Sequence, residues 1–105
     1  MAMVTHALYA PLEAKPDKAE ELQAFLREAQ TLAEQEPGTA AWFALRMGPT
    51  SFAIFDVFPD EESRQAHLNG EIAKALMEHA DELLAKPPQI HQLDVIASTL
   101  EARPQ

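Results

Sequence analysis

The sequence predicts an α+β domain whose elements follow the order βαββααβ. Two blocks, residues 13–36 and 60–86, each hold seven acidic and three basic side chains, and the rest of the chain holds only three acids and two bases. Four segments with β character lie between or outside these blocks, and two of them are apolar on both faces. Charged blocks with helical spacing and apolar segments between them are typical of helices packed on an antiparallel sheet.

The first half of the chain is predicted to be a strand, a helix and a hairpin. The first strand covers about residues 4–12. The helix that follows has one apolar face, Ala19, Leu22, Phe25, Ala29 and Leu32, with Asp17 and Glu20 as its expected N-terminal capping pair and Pro37-Gly38 as its end. Strands at about 39–47 and 51–58 are joined by the turn residues Gly48-Pro49-Thr50.

The second half is predicted to hold two helices and a last strand. Pro59-Asp60 opens a short helix through Leu68, and Asn69-Gly70 interrupts it. A longer helix follows, with Ile72, Leu76, Ala80 and Leu83 on its inner face, and it ends before Pro87-Pro88 because proline lacks the donor for the next helical bond. The last strand is predicted at about 90–99.

Length, charge and composition exclude several classes of protein. A chain of 105 residues supports a single domain, residues 1–105. A net charge of −9 without a basic cluster argues against nucleic-acid binding. The absence of cysteine excludes disulfides, thiolate metal sites and cysteine nucleophiles. No long apolar run and no basic N-terminal segment occur, so we expect a soluble, cytoplasmic protein without a membrane partner.

The two apolar faces of the hairpin strands predict a homodimer. Phe43, Leu45 and Met47 alternate with Trp42 and Ala44, so both faces of that strand are largely apolar. Helices on one side of a sheet would leave the second face in water, which monomers rarely tolerate. A second copy, packed sheet against sheet about a two-fold axis, is the expected cover.

Four segments, taken in order, resemble the antibiotic biosynthesis monooxygenase family. They are Glu36-Pro37-Gly38-Thr39, Asp56-Val57-Phe58, Asp60-Glu61-Glu62 and Gln65-Ala66-His67-Leu68. With the element order, the resemblance covers nearly the whole chain, up to Leu93-Asp94-Val95. It implies a ferredoxin-like α+β domain that pairs into a dimeric barrel, in agreement with the two-faced sheet.

The resemblance also implies an activity. Characterised relatives oxidise phenols, quinols or polycyclic aromatics with molecular oxygen and without a bound flavin or metal. A haem-degrading branch uses an Asn, a Trp and a His that this chain lacks at the matching positions, because its only Asn and Trp are Asn69 and Trp42 and His67 replaces that Trp. The quinol-type branch matches better through Ala66-His67-Leu68, although its later second histidine corresponds to Ile72 here.

His67 is therefore the candidate catalytic residue. Imidazole titrates near neutral pH, and oxygen attacks a phenolate more readily than a phenol. The candidate substrate-binding residues are Trp42, Phe52, Phe58 and Arg46. Each has a structural alternative: backbone hydrogen bonding at a helix end for His67, core packing for the aromatic residues, and a cross-strand pair with Asp56 for Arg46.

The remaining histidines give no sign of a metal or a cofactor. His6, His67, His79 and His91 form no pair at helical ligand spacing. No glycine-rich phosphate loop occurs, so we expect no cofactor. His6 and Tyr9 are weaker site candidates, because they lie on opposite faces of the first strand.

Two functions stay open on the sequence alone. One is a cofactor-independent monooxygenase that acts on a small aromatic, phenol or quinol. The other is a dimeric module of the same fold that binds a small apolar ligand without turnover, for example in a stress response. A cavity with one histidine and several aromatic side chains serves both.

Overall fold

The elements observed in a computed structural model follow the predicted order. The structure describes residues 3–100, so both ends of the predicted 1–105 domain lie outside the described residues. The elements are β1 (His6–Glu13), α1 (Ala19–Glu34), β2 (Ala41–Arg46), β3 (Ser51–Phe58), α2 (Glu61–Leu68), α3 (Glu71–Leu83) and β4 (His91–Asp94). The predicted ferredoxin-like α+β fold with an antiparallel sheet is confirmed.

The four strands form one antiparallel sheet in the order β2-β3-β1-β4. In the central pair, His6 lies opposite Phe58 and Ala10 lies opposite Ile54. The hairpin between β2 and β3 is present, and its turn is closed by a 2.7 Å bond from Met47 N–H to Ser51 C=O. The two central strands carry the residues that face the helices and thereby position the site.

Strand β4 is shorter than the predicted segment 90–99. It pairs with β1 over four residues, from His91 opposite Tyr9 to Asp94 opposite His6. Val95 N–H still donates to Thr5 C=O. The residues after Val95 lie beyond the first residue of β1. They have no strand partner there, so the hydrogen-bonded ladder ends.

The core lies between the sheet and helices α1 and α3. Its largest fully buried side chains include Phe52, Phe58, Leu22 and Ile72. In α1 the buried side is formed by Leu22, Leu26, Ala29 and Ala33, whereas the predicted Phe25 and Leu32 are only half-buried. The inward face of α3 is as predicted at Ile72, Leu76 and Leu83, with Ala80 half-buried.

The predicted starts of α2 and α1 have different outcomes. Asp60 caps α2, because its Oδ1 accepts a 2.8 Å bond from the Ser63 N–H. The predicted cap at Asp17 is wrong: Lys18 is the N-cap of α1, and its side chain makes no capping bond. A turn closed by Lys18 N–H on Lys15 C=O places Asp17 one residue before the cap position.

A buried arginine joins α2 to the sheet. Arg64 is 6% exposed, and its Nη1 donates to the carbonyls of Ala7 at 3.3 Å and Leu93 at 3.1 Å. Its Nη2 pairs with the Glu61 carboxylate. One guanidinium therefore holds β1, β4 and α2 together.

The sheet face opposite the helices is apolar and open. Phe43, Leu45, Met47 and Leu93 are all more than a third exposed. Phe43 stacks on Phe55 of the neighbouring strand, with ring centroids 6.4 Å apart. At one end of the face Ala7 and Val57 are buried in a small cluster with Val4, and within residues 3–100 no helix or strand covers the part around Phe43. Within the same residues, no helix is long and apolar enough to cross a membrane.

Candidate active site

His67 lies between two carboxylates. Its Nδ1 is 2.6 Å from Oε1 of Glu36, and its Nε2 is 2.9 Å from Oδ2 of Asp56. The ring also packs on Phe58, with centroids 5.4 Å apart. Only 8% of the histidine side chain is exposed. The arrangement is a buried imidazole with an acidic group on each nitrogen.

The three groups come from three different elements. Asp56 lies on β3, where strand alternation directs it toward the helices, and it is fully buried. His67 lies in the last turn of α2. Glu36 follows α1, and its Oε1 also accepts a 2.7 Å bond from the Thr39 hydroxyl.

Gly38 allows the loop after α1 to pack closely on α2. A Cβ atom at this position would lie 2.6 Å from Oγ and 2.7 Å from Cβ of Ser63. Any larger residue at this position would therefore push the loop away from the helix. Because Glu36 and Thr39 belong to the same loop, this close approach helps to keep the Glu36 carboxylate within reach of His67.

The two carboxylates favour the protonated form of His67. Burial alone would lower the pKa of His67, but the contacts with Asp56 and Glu36 outweigh it and raise the pKa to about 9. Burial raises the pKa of Asp56, and the neighbouring His67 opposes that effect. At neutral pH His67 is therefore an imidazolium, and it lies beside a buried Asp56 whose own pKa is raised.

Asp56 has unused hydrogen-bonding capacity. His67 Nε2 and Asp56 Oδ2 are close, but the N–H does not point at the oxygen as a hydrogen bond requires. The contact is therefore an ion pair. Neither carboxylate oxygen has an aligned donor within residues 3–100. An unsatisfied buried carboxylate is costly and is common at functional sites.

Asp56 and His67 line a small apolar cavity between the sheet and the helices. The cavity has a volume of about 130 Å³. Its other walls are mainly aliphatic, and include Leu8, Ala10, Ile54, Ile72, Leu76 and Ile90. An apolar cavity of about 150 Å³ in another protein holds benzene, so this space suits one aromatic ring.

A second space lies on the other side of His67. It is an open groove of about 450 Å³ between the loop after α1 and helix α2. Glu36, Glu62 and Glu71 line it together with His67. We call the first space the inner cavity and the second the outer groove.

The predicted substrate-binding residues divide between two places. Phe58 is fully buried against His67. Trp42, Arg46 and Phe52 instead surround an open groove of about 500 Å³ between α1 and β2, which His67 does not line. We call it the side groove. The Trp42 indole Nε1 is buried and has no hydrogen-bond partner among the described residues.

The alternative of an Arg46–Asp56 pair is wrong. The register places Trp42 opposite Asp56 and Arg46 opposite Phe52. Arg46 contacts the Glu20 carboxylate at 3.2 Å, and its guanidinium lies 4.9 Å from the centre of the Phe52 ring. The carboxylate of Asp56 is paired with His67 instead.

Two residues of the site were not chosen from the sequence. Asp56 is the only charged residue of the otherwise largely apolar β3, and that isolation is the signal that could have indicated it. Glu36 was part of the resemblance but carried no chemical signal, since it lies in an acidic stretch. The weaker candidates are confirmed on opposite sheet faces: the register puts His6 on the helix side and Tyr9 on the open side.

The site does not form a metal centre. In the part of the chain that the structure describes, no three His, Asp or Glu side chains are grouped to hold a metal ion. Asp56 and Glu36 contact different nitrogens of His67, so the ring separates the two carboxylates.

Comparison with known proteins agrees with this fold. The family model described as antibiotic biosynthesis monooxygenase matches residues 5–79. The chain belongs to this family. None of the curated proteins matches the chain.

Among solved structures, a protein of unknown function from Nitrosomonas europaea is 50% identical, with a TM-score of 0.93 over 98% of this chain and all of that one. A protein from Mycobacterium tuberculosis is 18% identical, with a TM-score of 0.80, and the alignment covers 90% of this chain and 98% of that one. One from Pseudomonas aeruginosa is 23% identical, with a TM-score of 0.78 over 92% and 99% of the two chains. The last two likenesses show the fold alone.

Proposed function

We propose that this member of the antibiotic biosynthesis monooxygenase family oxidises a small phenol or quinol with molecular oxygen and without a cofactor. The proposal rests on one observation: an Asp56–His67 ion pair lies in the wall of an apolar cavity of single-ring size. Family membership supports the reaction class, and the cavity supports the size of the substrate.

The charge state of the pair assigns the roles of its two members. His67 is an imidazolium at neutral pH, so it cannot accept a proton from the substrate. The buried Asp56 carboxylate is the acceptor, and the positive charge of His67 stabilises the phenolate that forms. This differs from the sequence-based expectation, in which His67 itself took the phenolic proton.

The remaining chemistry belongs to the substrate. The phenolate transfers electrons to oxygen, one oxygen atom enters the ring, and the other leaves as water with protons that the substrate supplied. The protein needs to hold the ring against Asp56 and to exclude bulk water from the reacting atoms. The aliphatic walls of the inner cavity fit that requirement.

The functional unit we propose is a homodimer. The open sheet face displays Phe43, Leu45, Met47 and Leu93 to solvent. Apolar patches of this kind mark association surfaces in soluble proteins. A second copy packed on this face would close the two sheets into a barrel and leave the inner cavity of each copy on the helix side.

A binding module without turnover is the second candidate. The side groove favours it, because the half-buried Trp42 offers aromatic surface and Arg46 a cation there, without a histidine beside them. Ligand binding in that groove, with no oxygen consumption, is the outcome that this candidate predicts.

Oxygen uptake by the purified protein tests the proposal. A panel of single-ring and two-ring quinols and phenols is added without cofactor and with a chelator present, and uptake is compared with autoxidation of each compound alone. We expect uptake that is lost in Asp56→Asn and His67→Asn and kept in the exposed controls Asp94→Asn and His79→Asn. No uptake above autoxidation across the panel would reject the monooxygenase.

A further inference from the structure

The ring of His67 forms part of the wall between the inner cavity and the outer groove. Nε2 faces Asp56, which lines the inner cavity and is fully buried. Nδ1 faces Glu36, which lines the outer groove and keeps 20% of its side chain exposed. The two nitrogens of one ring therefore contact two carboxylates of very different solvent access.

We propose that Glu36 is the outer end of a proton relay that links the buried Asp56–His67 pair to solvent. The proposal rests on the proposed function for its purpose, which is to let the buried His67 lose and regain its Nδ1 proton from the solvent side of the ring. Glu36 does not line the inner cavity and cannot contact a substrate within it, so it acts only through His67.

The transfer conserves protons and charge. When a bound phenol gives its proton to the Asp56 carboxylate, the main partner that holds His67 in its charged form is neutralised. The phenolate keeps the imidazolium charged until its electrons pass to oxygen. Burial then disfavours the imidazolium, so the Nδ1 proton moves to the Glu36 carboxylate and from there to water. When reduced oxygen needs a proton, neutral Asp56 supplies it, and Glu36 returns one to Nδ1.

Among the charged groups around the His67 ring, Glu36 is the one placed to take the Nδ1 proton. The groups that face the imidazole directly are Asp56 from β3 and Glu36 from the loop after α1. Glu62 and Glu71 line the outer groove, but neither contacts the ring within hydrogen-bond distance. The cation of α2 nearest in sequence, Arg64, is bound to Glu61 and to the carbonyls of Ala7 and Leu93.

Exchange of the His67 proton tests the relay without any substrate. In protein with isotope-labelled histidine, NMR line shapes near the His67 pKa report how fast the imidazolium and neutral forms interconvert. The test variant is Glu36→Gln, which keeps an oxygen for the Nδ1–H and the Thr39 hydroxyl but cannot carry a proton. The control is Glu62→Gln, in the same groove.

We expect the imidazolium and neutral forms of His67 to interconvert at least about 10-fold more slowly in Glu36→Gln than in the wild type. Each protein is measured at the pKa of its own His67. The rate should be unchanged in Glu62→Gln. An unchanged rate in Glu36→Gln would overturn the relay, because a glutamate that only positions the ring is replaced well by glutamine. A variant too unstable to measure is replaced by Glu36→Ala, in which added formate should restore the rate.

The same variants separate the relay from the proposed activity. If the wild type consumes oxygen, Glu36→Gln should lower kcat about 10-fold and leave KM nearly unchanged, with an increased solvent isotope effect. If the wild type consumes none, the monooxygenase proposal fails, and the NMR exchange rate still decides whether Glu36 connects His67 to solvent.

Discussion

The imidazole of His67 and the carboxylate of Asp56 form a buried ion pair across the contact between α2 and β3, with Nε2 2.9 Å from Oδ2. Both side chains are less than a tenth exposed. Their mutual attraction is little screened by water, so each depends strongly on the charge of the other.

The stability of the protein should decrease at alkaline pH. The pKa of His67 is raised to about 9 in the folded state and is about 6.5 in an unfolded chain. The stabilisation is complete below the unfolded value and is lost as the pH rises through about 9. Urea unfolding should therefore show a free energy lower by roughly 2–3 kcal/mol above pH 9 than at neutral pH.

The matched control for this effect is a pair of histidine variants. His67→Asn should abolish most of the alkaline loss, whereas His79→Asn, on the exposed side of α3, should retain it. If the free energy of unfolding had the same pH dependence in the wild type and in His67→Asn, the alkaline loss of stability could not be assigned to His67.

Removing the charge of Asp56 should return His67 toward its neutral form. In Asp56→Asn the imidazole keeps its burial and the Glu36 contact but loses its inner partner, so we expect the His67 pKa to decrease by about 1 to 3 pH units. An NMR titration of the histidine ring measures this change. Asp94→Asn, on the same sheet face in β4, should leave the titration unaltered; an unshifted pKa in Asp56→Asn would refute the ion pair.

A methyl group at residue 38 should disturb the site from a distance. Gly38→Ala places a Cβ 2.6 Å from Ser63 Oγ, so we expect a loss of about 1–3 kcal/mol in the free energy of unfolding. The His67 pKa should also decrease, because the loop that carries Glu36 must move. Gly48→Ala is the control, since its Cβ would meet nothing closer than 4.0 Å. If Gly38→Ala and Gly48→Ala were equally stable, the loop after α1 would accommodate the added methyl group without losing stability, which would contradict this prediction.

The assembly in solution should be a dimer held by the open sheet face. Light scattering after size exclusion should give twice the 11.6 kDa chain mass, about 23 kDa. Phe43→Glu places a charge in the exposed apolar face and should shift the mass toward a monomer. Ala24→Glu, on the exposed side of α1, should remain dimeric. A wild-type monomer at micromolar concentration would exclude the barrel.

Local sequence signals predicted the fold well where one segment was enough to specify the structure. Asp60 capped its helix, and Gly48-Pro49-Thr50 formed the turn, because both depend on neighbours within a few residues. Asp17 failed as a cap because a preceding turn shifted the helix start by one residue. Strand β4 ends where its partner β1 begins, and the residues of β4 themselves do not indicate that point.

The site was harder to predict because its parts are distant in the chain. His67 stood out as a residue type, yet its charge state depends on Asp56 and Glu36, which are far from it in sequence. Arg46 and Asp56 were a plausible pair by composition, and only the strand register shows that they lie at different levels of the sheet.

The origin of the three site groups in three elements has a kinetic consequence. Asp56 and His67 come from the consecutive elements β3 and α2, whereas Glu36 is 31 residues from His67 in the chain, so the site needs one local and one distant contact. We expect the Glu36–His67 contact to form later in folding than the Asp56–His67 pair, because it closes a longer loop of chain. Glu36→Gln should thus accelerate unfolding while leaving the refolding rate almost unchanged.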